Sequence, residues 1–78
     1  MVKIYRSNID GKKSFVEEVI SPLMIQAQTG WHGAEYEHNE RTGEETVYLL
    51  DQYKDRCRSI CVTGDSVRAI VEDVFKNL

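Results

Sequence analysis

Three segments in the middle of the chain carry the alternating pattern of β-strands. The first, 35–38, alternates acidic and aromatic residues. The second, 46–50, is β-branched, aromatic and apolar, as in a more central strand, and the third covers 57–62. Polar stretches of hairpin-loop length separate them, at 39–43 and 52–56. The last segment places Ile60 and Val62 on one side of a strand and Cys57, Ser59 and Cys61 on the other. The pattern predicts an antiparallel meander, with Gly43 free to adopt a positive φ in the first turn.

A helical pattern precedes the predicted meander. Ser14 and Glu17 form a capping box, and the apolar stripe that follows ends before Gly30. This predicts a helix over about residues 14–28. Pro22 interrupts the stripe, so we expect either a kink or a break at which a second short helix begins.

The cleanest periodic pattern predicts a C-terminal helix capped by Asp65 or Ser66 and packed on the sheet. Its apolar positions are Val67, Ile70, Val71, Val74, Phe75 and Leu78. A short alternation over residues 2–6, followed by turn residues at 8–11, predicts an additional strand. We therefore predict an α+β fold in one compact domain, 1–78. We expect an antiparallel sheet of three or four strands with helices packed on one face, in the order β-α-β-β-β-α.

The predicted helix, three strands and helix over roughly residues 14–78 resemble the αβββα order of double-stranded-RNA-binding domains. In that family a lysine-rich turn at the start of the last helix holds the RNA backbone. The corresponding stretch here is Thr63-Gly64-Asp65-Ser66, which contains an aspartate and no lysine. The resemblance therefore implies a shared topology and assigns no RNA-binding residue.

Composition and charge narrow the function classes. The 78 residues are 41% hydrophobic and 29% charged, which is typical of a folded globular domain. A formal net charge of −3 disfavours a general binder of nucleic acids or membrane surfaces. The sequence contains no apolar run as long as the ~18 residues of a membrane span, and no signal-peptide core follows Met1. Two cysteines are too few for a disulfide framework, so we expect a reduced, cytoplasmic protein.

The residues capable of catalysis or metal binding form no recognisable motif. Cys57 and Cys61 are four positions apart on a predicted strand, which separates their Cα atoms by ~13 Å. That distance is too long for a shared zinc ion or a disulfide, so we expect two small buried thiols. A Cys–His pair, or a carboxylate pair at Glu35 and Glu37, is a less favoured alternative. We predict no metal site, no cofactor and no enzymatic activity.

Two binding functions remain. The first is a protein-binding module, of the kind that phage and mobile elements encode as small regulators or inhibitors. It would act through an acidic and aromatic sheet surface. Its predicted partner-binding residues are Trp31, Glu35, Tyr36, Glu37, Glu44 and Tyr48, although Trp31 is read first as a cap on the core. The alternative is a nucleic-acid-binding domain that uses the basic hairpin 53–58 through Tyr53, Lys54, Arg56 and Arg58. Either class is compatible with a homodimer that buries a sheet edge or face.

Overall fold

The computed structural model describes residues 4–62 and 66–77. Seven elements follow one another: α1 (Ile9–Phe15), a π-helical segment (Val16–Ile20), α2 (Ser21–Gln26), β1 (Gly33–His38), β2 (Glu45–Leu50), β3 (Arg56–Val62) and α3 (Val67–Lys76). The first three run on without a gap, and together they are called the N-terminal helix. The predicted α+β class is confirmed.

The strands form an antiparallel sheet in the order β1-β2-β3, as the meander prediction required. The register places Val47 opposite both Tyr36 and Ile60, so these three side chains share one face. This inner face packs against the helices in a core that includes Val16, Ile20, Met24, Ala34, Leu49, Val62, Ile70 and Val74. The opposite, outer face carries Glu35, Glu37, Thr46, Tyr48, Arg56, Ser59 and Cys61.

The N-terminal helix begins at Ile9, and Ser14 lies inside it instead of capping it. Asn8 is the N-cap, because its side-chain oxygen accepts a hydrogen bond from the Gly11 N–H at 2.7 Å. A Cβ atom at Gly11 would lie 2.0 Å from the carbonyl oxygen of Arg6. The glycine that predicted a turn therefore allows the first helical turn to pack tightly on the residues before it.

Pro22 does not break the helix. It lies in the first turn of α2, directly after the π-helical segment, where the Ser21 N–H donates to the carbonyl of Val16 five residues back. Because proline lacks a backbone N–H, it is best tolerated in the first turn of a helix. The helix ends at Gln26, two residues before the predicted end, and Gln28 then adopts a left-handed conformation with φ 54°.

The predicted strand over residues 2–6 is not present in its described part. Residues 4–6 belong to no helix or strand, and residues 2 and 3 lie outside the described residues. The ring of Tyr5 instead packs edge-on against Phe15, with the ring centroids 5.3 Å apart. Tyr5 therefore packs this segment against the N-terminal helix, and the described sheet has three strands.

The predicted C-terminal helix is confirmed. Ser66 is its N-cap, and its hydroxyl accepts a hydrogen bond from the Ala69 N–H at 3.1 Å. Ile70 and Val74 are fully buried against the sheet. Thr63, Gly64, Asp65 and Leu78, which the sequence analysis also assigned to this region, lie outside the described residues.

Candidate protein-interaction surface

A cluster of one arginine, one tyrosine and two glutamates occupies the outer face. Arg56 extends from β3 across the sheet, and its Cζ lies 4.2 Å from the ring centroid of Tyr48 on β2. The guanidinium reaches Glu35 Oε1 at 3.0 Å and Glu37 Oε1 at 3.5 Å on β1. The Tyr48 hydroxyl donates to Glu37 Oε2 at 3.0 Å. These four residues, called the outer cluster, connect all three strands.

A β-bulge brings Arg56 to the outer face. Leu49 pairs with Arg58, but a register shift then pairs Leu50 with Arg56, so Cys57 is the additional residue. Without this shift, the alternation of the strand would place Arg56 on the inner face. Bulges commonly redirect a side chain in this way.

The outer cluster is half exposed to solvent. The side chains of Arg56, Glu35 and Glu37 are 44%, 45% and 51% exposed. The hydrogen bond to Glu37 raises the pKa of Tyr48, and the hydrogen bond to Glu35 raises the pKa of Arg56. Solvent screens such exposed pairs, so the ion pairs add little to stability. Their main effect is to hold the arginine and tyrosine in one arrangement.

Three residues of the predicted partner-binding set lie apart from the outer cluster. Tyr36 is on the inner face and only 6% exposed, so its prediction as a surface residue is wrong. Its alternation with Glu35 and Glu37 already places it on the opposite face from the two glutamates. Trp31 is partly buried and packs against the core, in agreement with its interpretation as a cap on the core. Glu44 is exposed just before β2.

A second charged cluster, which the sequence analysis missed, lies at the inner face. Lys12 Nζ donates to Glu45 Oε1 at 2.7 Å, and the Tyr36 hydroxyl donates to the same oxygen. The side chains of Lys12 and Glu45 are 6% and 12% exposed. A signal was available, because Lys12 precedes Val16 by four residues and extends the buried stripe of the helix toward its start. These three residues are called the inner cluster.

Near neutral pH, Glu45 of the inner cluster is ionised and Tyr36 is neutral. Burial alone would raise the pKa of Glu45, but the hydrogen bonds from Lys12 and Tyr36 outweigh burial and hold this pKa below its ordinary value. Burial, together with the hydrogen bond to Glu45, strongly raises the pKa of Tyr36. Because the cluster joins α1 to β1 and β2 and is largely shielded from solvent, we assign it a structural role.

Two of the three cations of the basic hairpin are engaged in contacts within the chain. Lys54 Nζ donates to the carbonyl of His32, and Arg56 belongs to the outer cluster. Asp51 fixes the loop by accepting from the N–H groups of Tyr53 and Asp55 at 2.8 and 3.0 Å. The hydrogen bond from Asp55 lowers the pKa of Asp51. The hairpin is therefore more rigid and less available to phosphates than its sequence suggests.

Both cysteines are free and exposed, so the expectation of two buried thiols is wrong. Alternation along β3 buries Ile60 and Val62 and turns Cys61, which lies between them, outward. Cys57 is the exposed residue at the bulge. The thiol of Cys57 donates to Asp51 Oδ2 at 3.3 Å, and this contact raises the pKa of Cys57.

The described residues contain no group of three or more His, Cys, Asp or Glu side chains placed to hold a metal ion. Within the same part of the chain, no helix has the length and apolar character needed to cross a bilayer. The chain has no significant match to a protein-family model, a curated protein or a solved structure.

Proposed function

We propose that the chain is a small protein-binding domain, without catalytic activity of its own, that docks on a basic partner through the outer face of its sheet. The outer cluster is the observation that carries this proposal. The helices pack on the inner face, and the outer face presents Tyr48 and Arg56 together. We propose that this docking regulates or inhibits the partner, as small phage proteins do.

The residue types of the outer cluster suit a protein interface. Tyrosine and arginine are enriched among the residues that contribute most to binding energy. Glu35 and Glu37 already hold Arg56 in place, so less side-chain entropy is lost when a partner binds. A fixed aromatic and guanidinium surface is therefore a favourable docking centre.

The charge of this surface favours a basic partner. The outer cluster contains two glutamates and one arginine, which leaves a formal charge of −1. Glu40 and Glu44 are exposed in the adjoining loop, against one exposed cation there, Arg41. Complementary charge mainly increases the association rate and the discrimination between partners. Nucleic acid is less favoured as the partner, because Lys54 and Arg56 are engaged within the chain.

The proposal is tested with variants that remove charge and retain hydrogen-bond acceptors. The Glu35→Gln/Glu37→Gln protein keeps oxygen atoms that can accept from Arg56 and Tyr48. Glu17→Gln is the matched control, because Glu17 is exposed on the helical layer. A partner is first captured from host lysate with and without nuclease, and association rates are then measured over a range of salt concentrations.

We expect the double variant to associate more slowly than the native protein, with a weaker dependence on salt. Glu17→Gln should associate at the native rate. If the double variant and the control have the same association rate and the same salt dependence, the outer face is not the docking surface. Capture that is lost after nuclease treatment would instead support the nucleic-acid alternative.

A further inference from the structure

Among residues 4–62 and 66–77, no strand pairs with the outer edge of β3, so this edge is available for pairing with another strand. Asn39 donates to the Glu44 carbonyl across the first hairpin, so Glu44 turns its main-chain groups toward β1. By alternation along β2, Val47 turns its main-chain groups toward β3, where it pairs with Ile60. Ser59, which directly precedes Ile60, therefore directs its N–H and C=O away from β2. The same alternation applies to Cys61.

The edge of β1 is less accessible. The N–H of Ala34 on that edge already donates to the Ser21 hydroxyl of the N-terminal helix at 3.0 Å. Along β3, by contrast, a groove of about 240 Å³ is lined by four consecutive strand residues, 58–61, and by Asn77 at the end of α3. The side chains of Cys57, Ser59 and Cys61 on this strand are small and exposed, so a second strand can approach closely.

We propose that two copies of the chain pair through β3 in antiparallel orientation, around a two-fold axis at Ser59. The two sheets then form one six-stranded sheet, with the outer faces of both copies on the same side. This interface uses the edge of the sheet, so the inference does not depend on the proposed function of the outer face. Isologous pairing of this kind is the commonest symmetry among homo-oligomers.

The sequence around Ser59 is complementary to itself in this register. Cys57 and Cys61 lie two residues on either side of the axis, so Cys57 of one copy faces Cys61 of the other copy. Arg58 faces Ile60, which avoids the like-charge contact that an axis at Arg58 would create. Residues 58–61 keep their pairing with β2, and Cys57 is the bulge residue next to them.

The register makes a specific prediction about cysteine cross-linking. Hydrogen-bonded residues on antiparallel strands have Cα atoms about 5.5 Å apart, within the range of a disulfide. Diamide is a suitable oxidant, because it accepts two electrons and two protons from a thiol pair and becomes the hydrazine as the S–S bond forms. Cys57→Ser and Cys61→Ser are each treated alone and then as an equimolar, pre-equilibrated mixture, and cross-linked dimer is measured on non-reducing gels.

We expect cross-linked dimer in the mixture and none in either variant alone. In a single variant, the remaining cysteines of the two copies are four residues apart along the strands, ~13 Å, and cannot join. Equal cross-linking in the single variants and the mixture would indicate random collision and would overturn the proposal. Absence of cross-linking in the mixture would overturn it as well.

A second measurement does not depend on thiol chemistry. Sedimentation of the reduced native protein should show a dimer, and Ser59→Pro should shift it to a monomer. The proline removes an N–H that points away from β2, so the intramolecular ladder of the sheet is retained, and circular dichroism should show a native spectrum. A native protein that sediments as a monomer, or a Ser59→Pro protein that sediments as a folded dimer, contradicts the proposal.

Discussion

The two charged clusters on opposite faces of the sheet use the same chemistry in different surroundings. The inner cluster joins Lys12, Tyr36 and Glu45, whereas the outer cluster joins Arg56 and Tyr48 to two glutamates. Each contains a cation, a tyrosine hydroxyl and a carboxylate. The cation and carboxylate of the inner cluster are 6% and 12% exposed, and those of the outer cluster are 44–51% exposed. Burial, not composition, therefore separates a structural cluster from a surface available to a partner.

The difference in burial has a direct energetic consequence. A buried ion pair has already lost its hydration, so removal of one member leaves an uncompensated charge. An exposed pair is hydrated in part, and removal of one member leaves a charge that water can solvate. Comparable substitutions in the two clusters should therefore differ severalfold in their effect on the free energy of unfolding.

The largest effect is expected for Lys12→Ala. Loss of the ammonium leaves Glu45 buried without its cation, and we expect a decrease in the free energy of unfolding of about 3–5 kcal/mol. Chemical denaturation at neutral pH measures this change. Lys13→Ala is the matched control, because Lys13 is the exposed neighbour on the same helix. An equal loss in the two variants would contradict the structural role of the inner cluster.

Replacement of the whole inner cluster by apolar residues should recover most of that loss. In Lys12→Met/Tyr36→Phe/Glu45→Met no charge or hydroxyl remains without a partner. Apolar replacements of complete buried ion pairs are often neutral or stabilising by about 1–4 kcal/mol. We therefore expect the triple variant to be more stable than Lys12→Ala in the same denaturation experiment. If it is less stable, the cluster contributes more than charge compensation.

The inner cluster should also produce an acid-sensitive component of stability. The pKa of Glu45 in the folded protein lies below its ordinary value, which is about 4.3 in the unfolded chain. The contribution of ionised Glu45 to stability is therefore complete above about pH 4.3 and is lost as the pH falls through the pKa of Glu45 in the folded protein. Denaturation between neutral pH and about pH 3 should show a steeper loss in the native protein than in the triple variant. Asp51, whose pKa is also lowered, is present in both proteins. Parallel pH profiles would show that Glu45 is not responsible.

The periodic patterns predicted most of the fold. The alternation in the strands and the apolar stripe of α3 depend on local side-chain positions, and both were confirmed. The start of the N-terminal helix was missed because Gly11 next to an aspartate is typical of a turn. Its actual role, close approach to the Arg6 carbonyl, depends on packing that the sequence does not display.

The two clusters were predictable to different degrees. Glu35, Glu37 and Tyr48 follow from strand alternation, and all three lie on the outer face. Arg56 was assigned to a basic hairpin, because its place over Tyr48 depends on a bulge that no local pattern marks. Lys12 was given no role from the sequence, because its contact with Glu45 joins residues 33 positions apart.

The smallest effect is expected for Arg56→Gln in the outer cluster. The exposed ion pairs to Glu35 and Glu37 are screened by water and salt, so we expect a loss of about 0.2–1 kcal/mol in the free energy of unfolding. The loss should decrease as salt is added, whereas the loss in Lys12→Ala should change little. Arg58→Gln is the control, because it removes the same charge from an exposed position on the same strand. Chemical denaturation at low and high salt compares the variants. A loss in Arg56→Gln as large as that in Lys12→Ala, and insensitive to salt, would show that burial does not separate the two clusters.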